Sequence, residues 1–178
     1  METFTGLKSL VSNPLYKKQR ENTLRKIEYN TIDKPIVNLI RSINELTFCF
    51  TLQCCYGHFL HGARKDHRNL DPLPKVKKST NVVYRIAYLA LCLEENIPGE
   101  KLLQQLENTT LINPEYIQFG CADWFWKKQV NSYALQVAPK KFMFEDKFTI
   151  NFQQALIIEK IKKTLFTELG KILWEMIN

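Results

Sequence analysis

No stretch of this sequence approaches the roughly 18 uninterrupted apolar residues of a membrane-crossing helix, and its N-terminus lacks the basic-then-apolar build of a secretory signal. A soluble, cytoplasmic protein with no membrane partner is therefore expected. Internal repeats and low-complexity segments are absent, so the 178 residues suit one domain, 1–178, with 1–30 read as a helical N-terminal arm. The five cysteines are odd in number, and Cys54 and Cys55 are neighbours whose pairing would be strained. That argues against a disulfide scaffold and fits a reducing compartment. Missing too are a Gly-rich phosphate loop, a dinucleotide fingerprint and a His-Glu-x-x-His metal motif.

What the chain has is enough apolar material for a core, 45% hydrophobic and 12% aromatic. Ser12-Asn13-Pro14 starts a mostly polar helix over about 14–28, with a thin stripe of Leu15, Leu24 and Ile27. Asp33 followed by Pro35 starts a second, in which Ile36, Leu39, Ile40, Ile43 and Leu46 recur at helical spacing. Thr47 to Gln53 alternates as a strand. Its parity puts Cys54 with the core phenylalanines Phe48 and Phe50, and Cys55 on the opposite face. Gly57 allows a sharp turn, and His61 to Thr80 reads as a long loop. Val82–Leu93 suits one buried strand, and Pro98-Gly99 opens a short helix on Leu102, Leu103 and Leu106. Tyr116–Ala122 and Ser132–Val137 are further strands. Ile158, Ile161, Leu165, Leu169, Ile172 and Met176 mark a long C-terminal amphipathic helix, packed on the sheet or on a second copy of the chain in a homodimer. The sum is an α+β fold: a small, mainly antiparallel sheet covered by helices.

Reactive side chains collect in one place. Cys54, Cys55 and all three histidines (His58, His61, His67) fall within 14 positions of one another, with Gly57 at the bend and Arg64 and Lys65 close behind. Just past a strand, on a glycine turn, such groups are exposed on a rigid scaffold. Cys55 and His58 are the candidate catalytic pair, His58 placed to orient or deprotonate the thiol. The sequence names no acid to complete them. Zinc is the competing use, but a second Cys/His pair at regular spacing is missing, so no metal is expected. Space-filling is the third option, since free cysteine is among the most buried residue types.

Residues 64–78 carry six basic groups against Asp66 and Asp71, a net of +4, whereas 94–123 carry six acids against Lys101. Arg64, Lys65 and His67 would thus meet an anion, RNA or a nucleotide, beside the Cys/His turn. A solvated loop is the plainer account. Trp124 and Trp126, beside Asp123, could stack a planar ring of the same ligand or simply fill core.

From Ile43-Asn44 through Phe48-Cys49-Phe50-Thr51 to Cys55-Tyr56-Gly57-His58, the chain resembles the tRNA wybutosine-synthesis methyltransferases and related small prokaryotic proteins. There a helix ends in Ile-Asn, a strand follows, then Ser/Cys-Cys-x-Gly. Cys55 and Gly57 match that pattern, Cys54 stands where serine is usual, and His58 stands where those enzymes have arginine. The resemblance implies S-adenosylmethionine as cofactor and a modified guanosine as substrate. Three functions remain open: an enzyme on a nucleotide or RNA-like anion, a non-catalytic nucleic-acid-binding module, or a dimeric interaction protein with a structural or zinc-bound Cys/His cluster.

Overall fold

The computed structural model describes residues 4–61, 70, 72–73 and 81–178. The strands are β1 (Phe4–Thr5), β2 (Cys49–Cys55), β3 (His58–His61), β4 (Asn81–Arg85), β5 (Ala87–Leu93), β6 (Ile117–Ala122), β7 (Ser132–Val137) and β8 (Lys147–Asn151). The α-helices are α1 (Tyr16–Leu24), α2 (Val37–Glu45), α3 (Ile97–Asn108), α4 (Asp123–Lys128) and α5 (Phe152–Ile177). The fold is α+β, and every strand pair is antiparallel. No described helix is long and apolar enough to cross a membrane.

The described residues form two sheets where the sequence suggested one: a five-stranded sheet, β1-β6-β7-β5-β2, and a three-stranded sheet, β3-β4-β8. The apolar run 82–93 supplies a strand to each, broken at Ile86, whose N–H leaves both ladders for the Asp146 carbonyl at 3.0 Å. Tyr84 ties the sheets together. From β4 its hydroxyl accepts a hydrogen bond from the Ala87 N–H (2.8 Å) and donates one to the Val137 carbonyl (3.1 Å). The short strands β3 and β8 escaped the sequence pattern. Of the expected loop 61–80, His61 closes β3, and most of the rest lies outside the described residues.

One face of the five-stranded sheet is the core. Leu89, Leu91, Leu93, Leu135, Val137 and Ile117 meet α2 through Ile40 and Ile43, and α3 through Leu102 and Leu106. Ile158, Leu165 and Leu169 of α5 complete this core, each such side chain stabilising the fold by about 1.5–3 kcal/mol. The 26-residue α5 begins on a capping box, Asn151 with Gln154, and packs on strands of both sheets.

The opposite face is different. Cross-strand partners share a face, so the register puts Cys55, Tyr88, Gln136 and Gln118 in one row, with Ala90, Ala134, Gly120 and Ala122 beside them. At one end α1 covers this face, the Tyr16 ring packing on Phe50 at 5.5 Å, tilted by 52°. Helix α1 is shorter than expected: Leu15 is exposed, and Tyr16 is the side chain it buries.

Strand β2 also needs correcting. It runs two residues later than the alternation suggested, and Cys49, not Phe50, faces the main core. A register shift between Thr51 and Gln53 then inserts an extra residue and exchanges the faces. Cys54 consequently turns toward the core, and Cys55 joins the Tyr88 row.

Candidate functional site

Three segments meet at the β2–β3 turn. Gly57 makes the reversal at φ +83°, a conformation that favours glycine. It leaves Cys55, at the end of β2, beside His58, at the start of β3. Asp33 comes from the turn before α2. Its Oδ2 accepts the Tyr56 N–H at 2.8 Å and lies 3.1 Å from His58 Nε2. The Gly57 N–H donates to Cys55 Sγ at 3.4 Å. The donor atoms of Asp33, Cys55 and His58 lie within 4.8 Å of one another, with Cys55 and His58 buried.

The electrostatics follow from that packing. Hydrogen bonds to Asp33 and to Cys55 push the His58 imidazole up to about 10, against the opposing effect of burial. It is an imidazolium at neutral pH. Burial pushes the Asp33 carboxyl up, but hydrogen bonds from His58 and the Tyr56 N–H outweigh it and hold the group below its ordinary value. Burial pushes the Cys54 and Cys92 thiols up to about 12, which keeps them inert. All five cysteines are free.

Lys162 lies beneath the turn. It sits on the apolar side of α5, 4% exposed, and donates to the Gly57 carbonyl at 3.1 Å. The Tyr56 and Phe59 rings flank its ammonium at 4.1 and 4.9 Å. Burial lowers it to about 8, against the opposing pull of Glu159.

A polar cleft of about 370 Å³ opens onto Asp33, Cys55 and His58, with Lys26, Thr51 and Arg85 on its walls. Thr51 Oγ1 is buried there without a hydrogen-bond partner. A buried hydroxyl left so is costly.

Of the residues singled out from sequence, Cys55 and His58 are brought together. Arg64, Lys65 and His67 lie outside the described residues. Trp124 is 42% exposed with the Lys128 ammonium 3.9 Å from its ring centre, and Trp126 packs on Tyr133. Neither lines the cleft; Phe125, between them, lines the one beside it. Asp33, Lys162 and Arg85 are the residues the sequence concealed. Asp33 stands in a helix-capping position, but its side chain makes no cap hydrogen bond and turns to the site.

No family model and no curated protein matches the chain. Among solved structures it is similar to the PH1069 protein from Pyrococcus horikoshii, with a TM-score of 0.46 and 14% identity, covering 92% of this chain and 94% of that one. It is also similar to a hypothetical protein from Aeropyrum pernix, with a TM-score of 0.42 and 13% identity, covering 81% of this chain and 96% of that one.

Proposed function

We propose that this chain is a small enzyme acting on a nucleotide or RNA-like anion, with Cys55 as nucleophile and His58, oriented by Asp33, as its proton-bearing partner. The observation that carries this is the contiguous Cys55–His58–Asp33 arrangement at the wall of an open cleft. A nucleophile, an acid–base group and an orienting carboxylate within hydrogen-bonding reach form a general catalytic pattern. Because His58 carries its proton at neutral pH, its part is to stabilise negative charge or deliver a proton. Arg85 and Lys26 on the cleft wall supply the cationic surface an anion requires. The resemblance of residues 43–58 to enzymes of RNA nucleosides supports the same substrate class.

Iodoacetamide labelling mapped by mass spectrometry tests this. Cys55 should react ahead of Cys54 and Cys92, and His58→Asn should slow it roughly tenfold or more. A short RNA oligonucleotide at low salt should protect it, the protection fading as salt rises. Equal labelling of Cys54 and Cys55, or no protection at any salt, would remove the reading.

A second reading has its own observation. Sulfur, imidazole and carboxylate donors within 4.8 Å are a ligand set that zinc accepts with one position left open. The metal must first displace the His58 proton, so occupancy should stay well below one zinc per chain at pH 6 and rise with pH. Occupancy that rises to one zinc per chain at higher pH, and is lost in Cys55→Ser, would favour metal over nucleophile.

A further inference from the structure

A second cleft, of about 750 Å³, adjoins the first and shares Gln53, Arg85 and Tyr88 with it. Its origin is the pattern on the sheet face away from the core. Ala134 and Ala122 are too small to fill the space, and among the described residues nothing like the Leu-rich packing of the other face covers it. The rest of the lining comes from three segments distant in sequence: Phe4, Phe125, and Met143 to Lys147, including Phe144. Phe144 is 49% exposed, and Phe125 is half-buried.

Three features of this lining specify a ligand. The aromatic side chains of the lining, Phe4, Phe125, Phe144 and Tyr88, suit a flat ring, which stacks without regard to its edge. The amides of Gln53 and Gln136 offer donors and acceptors for the edge of that ring. Arg85 lines both clefts and sits opposite His58 in the β3–β4 pairing, so a group attached to the ring and held by its guanidinium would lie next to the reactive turn. Guanidinium binds phosphate in a bidentate fork.

We infer that the second cleft is the base-binding half of a composite site for a nucleoside 5′-phosphate, whose phosphate lies at Arg85 between the two clefts. The inference rests on the enzyme reading above and adds to it the position and orientation of the ligand. The base stacks by Phe125 and Tyr88, and the sugar-phosphate crosses toward Cys55 and His58. The volume lies within the range of small-ligand sites.

Calorimetric titration of the full chain with adenosine 5′-monophosphate and with inorganic phosphate tests it. The nucleotide should bind more tightly than phosphate. Phe125→Ala should weaken the nucleotide roughly 5- to 100-fold and leave phosphate unaffected. Arg85→Gln should weaken both. Should Phe125→Ala not fold, nuclear Overhauser contacts from the adenine protons to the Phe125 and Tyr88 rings of the unaltered protein decide the matter. Nucleotide binding no tighter than phosphate, indifferent to Phe125→Ala, or without those contacts overturns the inference. Selective, protectable labelling of Cys55 alongside that negative result would leave the enzyme reading standing. Nucleotide bound in the second cleft with an unreactive Cys55 would remove the enzyme reading and keep the subsite.

Discussion

Asp33→Ala is expected to cost the folded chain about 3–5 kcal/mol near pH 6, and progressively less toward pH 9. The substitution strips a buried imidazolium of its carboxylate partner, and the Tyr56 N–H of its acceptor. The pH dependence has a definite sign. His58 moves from 6.5 up to about 10 on folding, so its contribution is complete below pH 6.5 and is lost as pH rises toward 10. The Asp33 carboxyl is lowered from 3.8, so its contribution holds above that value and is lost as pH falls beneath it. The gap between the two proteins is therefore widest from about pH 4 to 6.5. Lys162, lowered from 10.5 to about 8, adds stability with rising pH above 8, so pH 6.5 to 8 is the window in which His58 is isolated. Urea unfolding of both proteins at pH 5.5, 7 and 8 measures this. A gap that stays constant across those points would mean that the His58–Asp33 contact is not an ion pair.

Gly57→Ala should destabilise by roughly 2–4 kcal/mol. A methyl at this position would sit 2.9 Å from both Ala87 Cβ and the Ala87 nitrogen, and 3.0 Å from the Tyr84 hydroxyl. Two of those neighbours form the hydrogen bond that helps hold the sheets together, so neither yields cheaply. The φ of +83° adds strain for any residue with a Cβ. Relief requires the turn to open, which separates Cys55 from His58. Loss of stability should therefore accompany loss of selective Cys55 labelling. A shift below about 1 kcal/mol with labelling intact would show that the turn is looser than this packing implies.

Much of the architecture was legible because it follows from periodicity. The stripe of α5, the Pro98 start of α3 and the alternation of β7 each express one face against one core. The site was legible only by half, since Cys55 and His58 are neighbours in sequence whereas their partners are not. Asp33 has the composition of a cap, and only the distant β2–β3 turn shows that its carboxylate is used elsewhere. Lys162 interrupts an apolar stripe, and nothing local distinguishes it from a solvated lysine. The extra residue near Leu52 is invisible to an alternation count, which is why Cys49 and Phe50 were assigned to the wrong faces, whereas the core side expected for Cys54 and the opposite face expected for Cys55 agree with the register. The split of 82–93 was hidden because both halves are buried and both are strands.

The bond from Lys162 to the Gly57 carbonyl spans 105 positions, and it gives assembly an order. Residues 33 to 58 can come together early, being close in the chain, but the turn that aims Cys55 is fastened only once α5 has docked. Contacts across so long a span slow folding. A chain still being made, or one whose α5 has come away, carries the thiol and the imidazole without the support that sets them face to face. The facing of Cys55 and His58 thus depends on a helix that also completes the core, so damage to α5 should register at the β2–β3 turn as well as in stability.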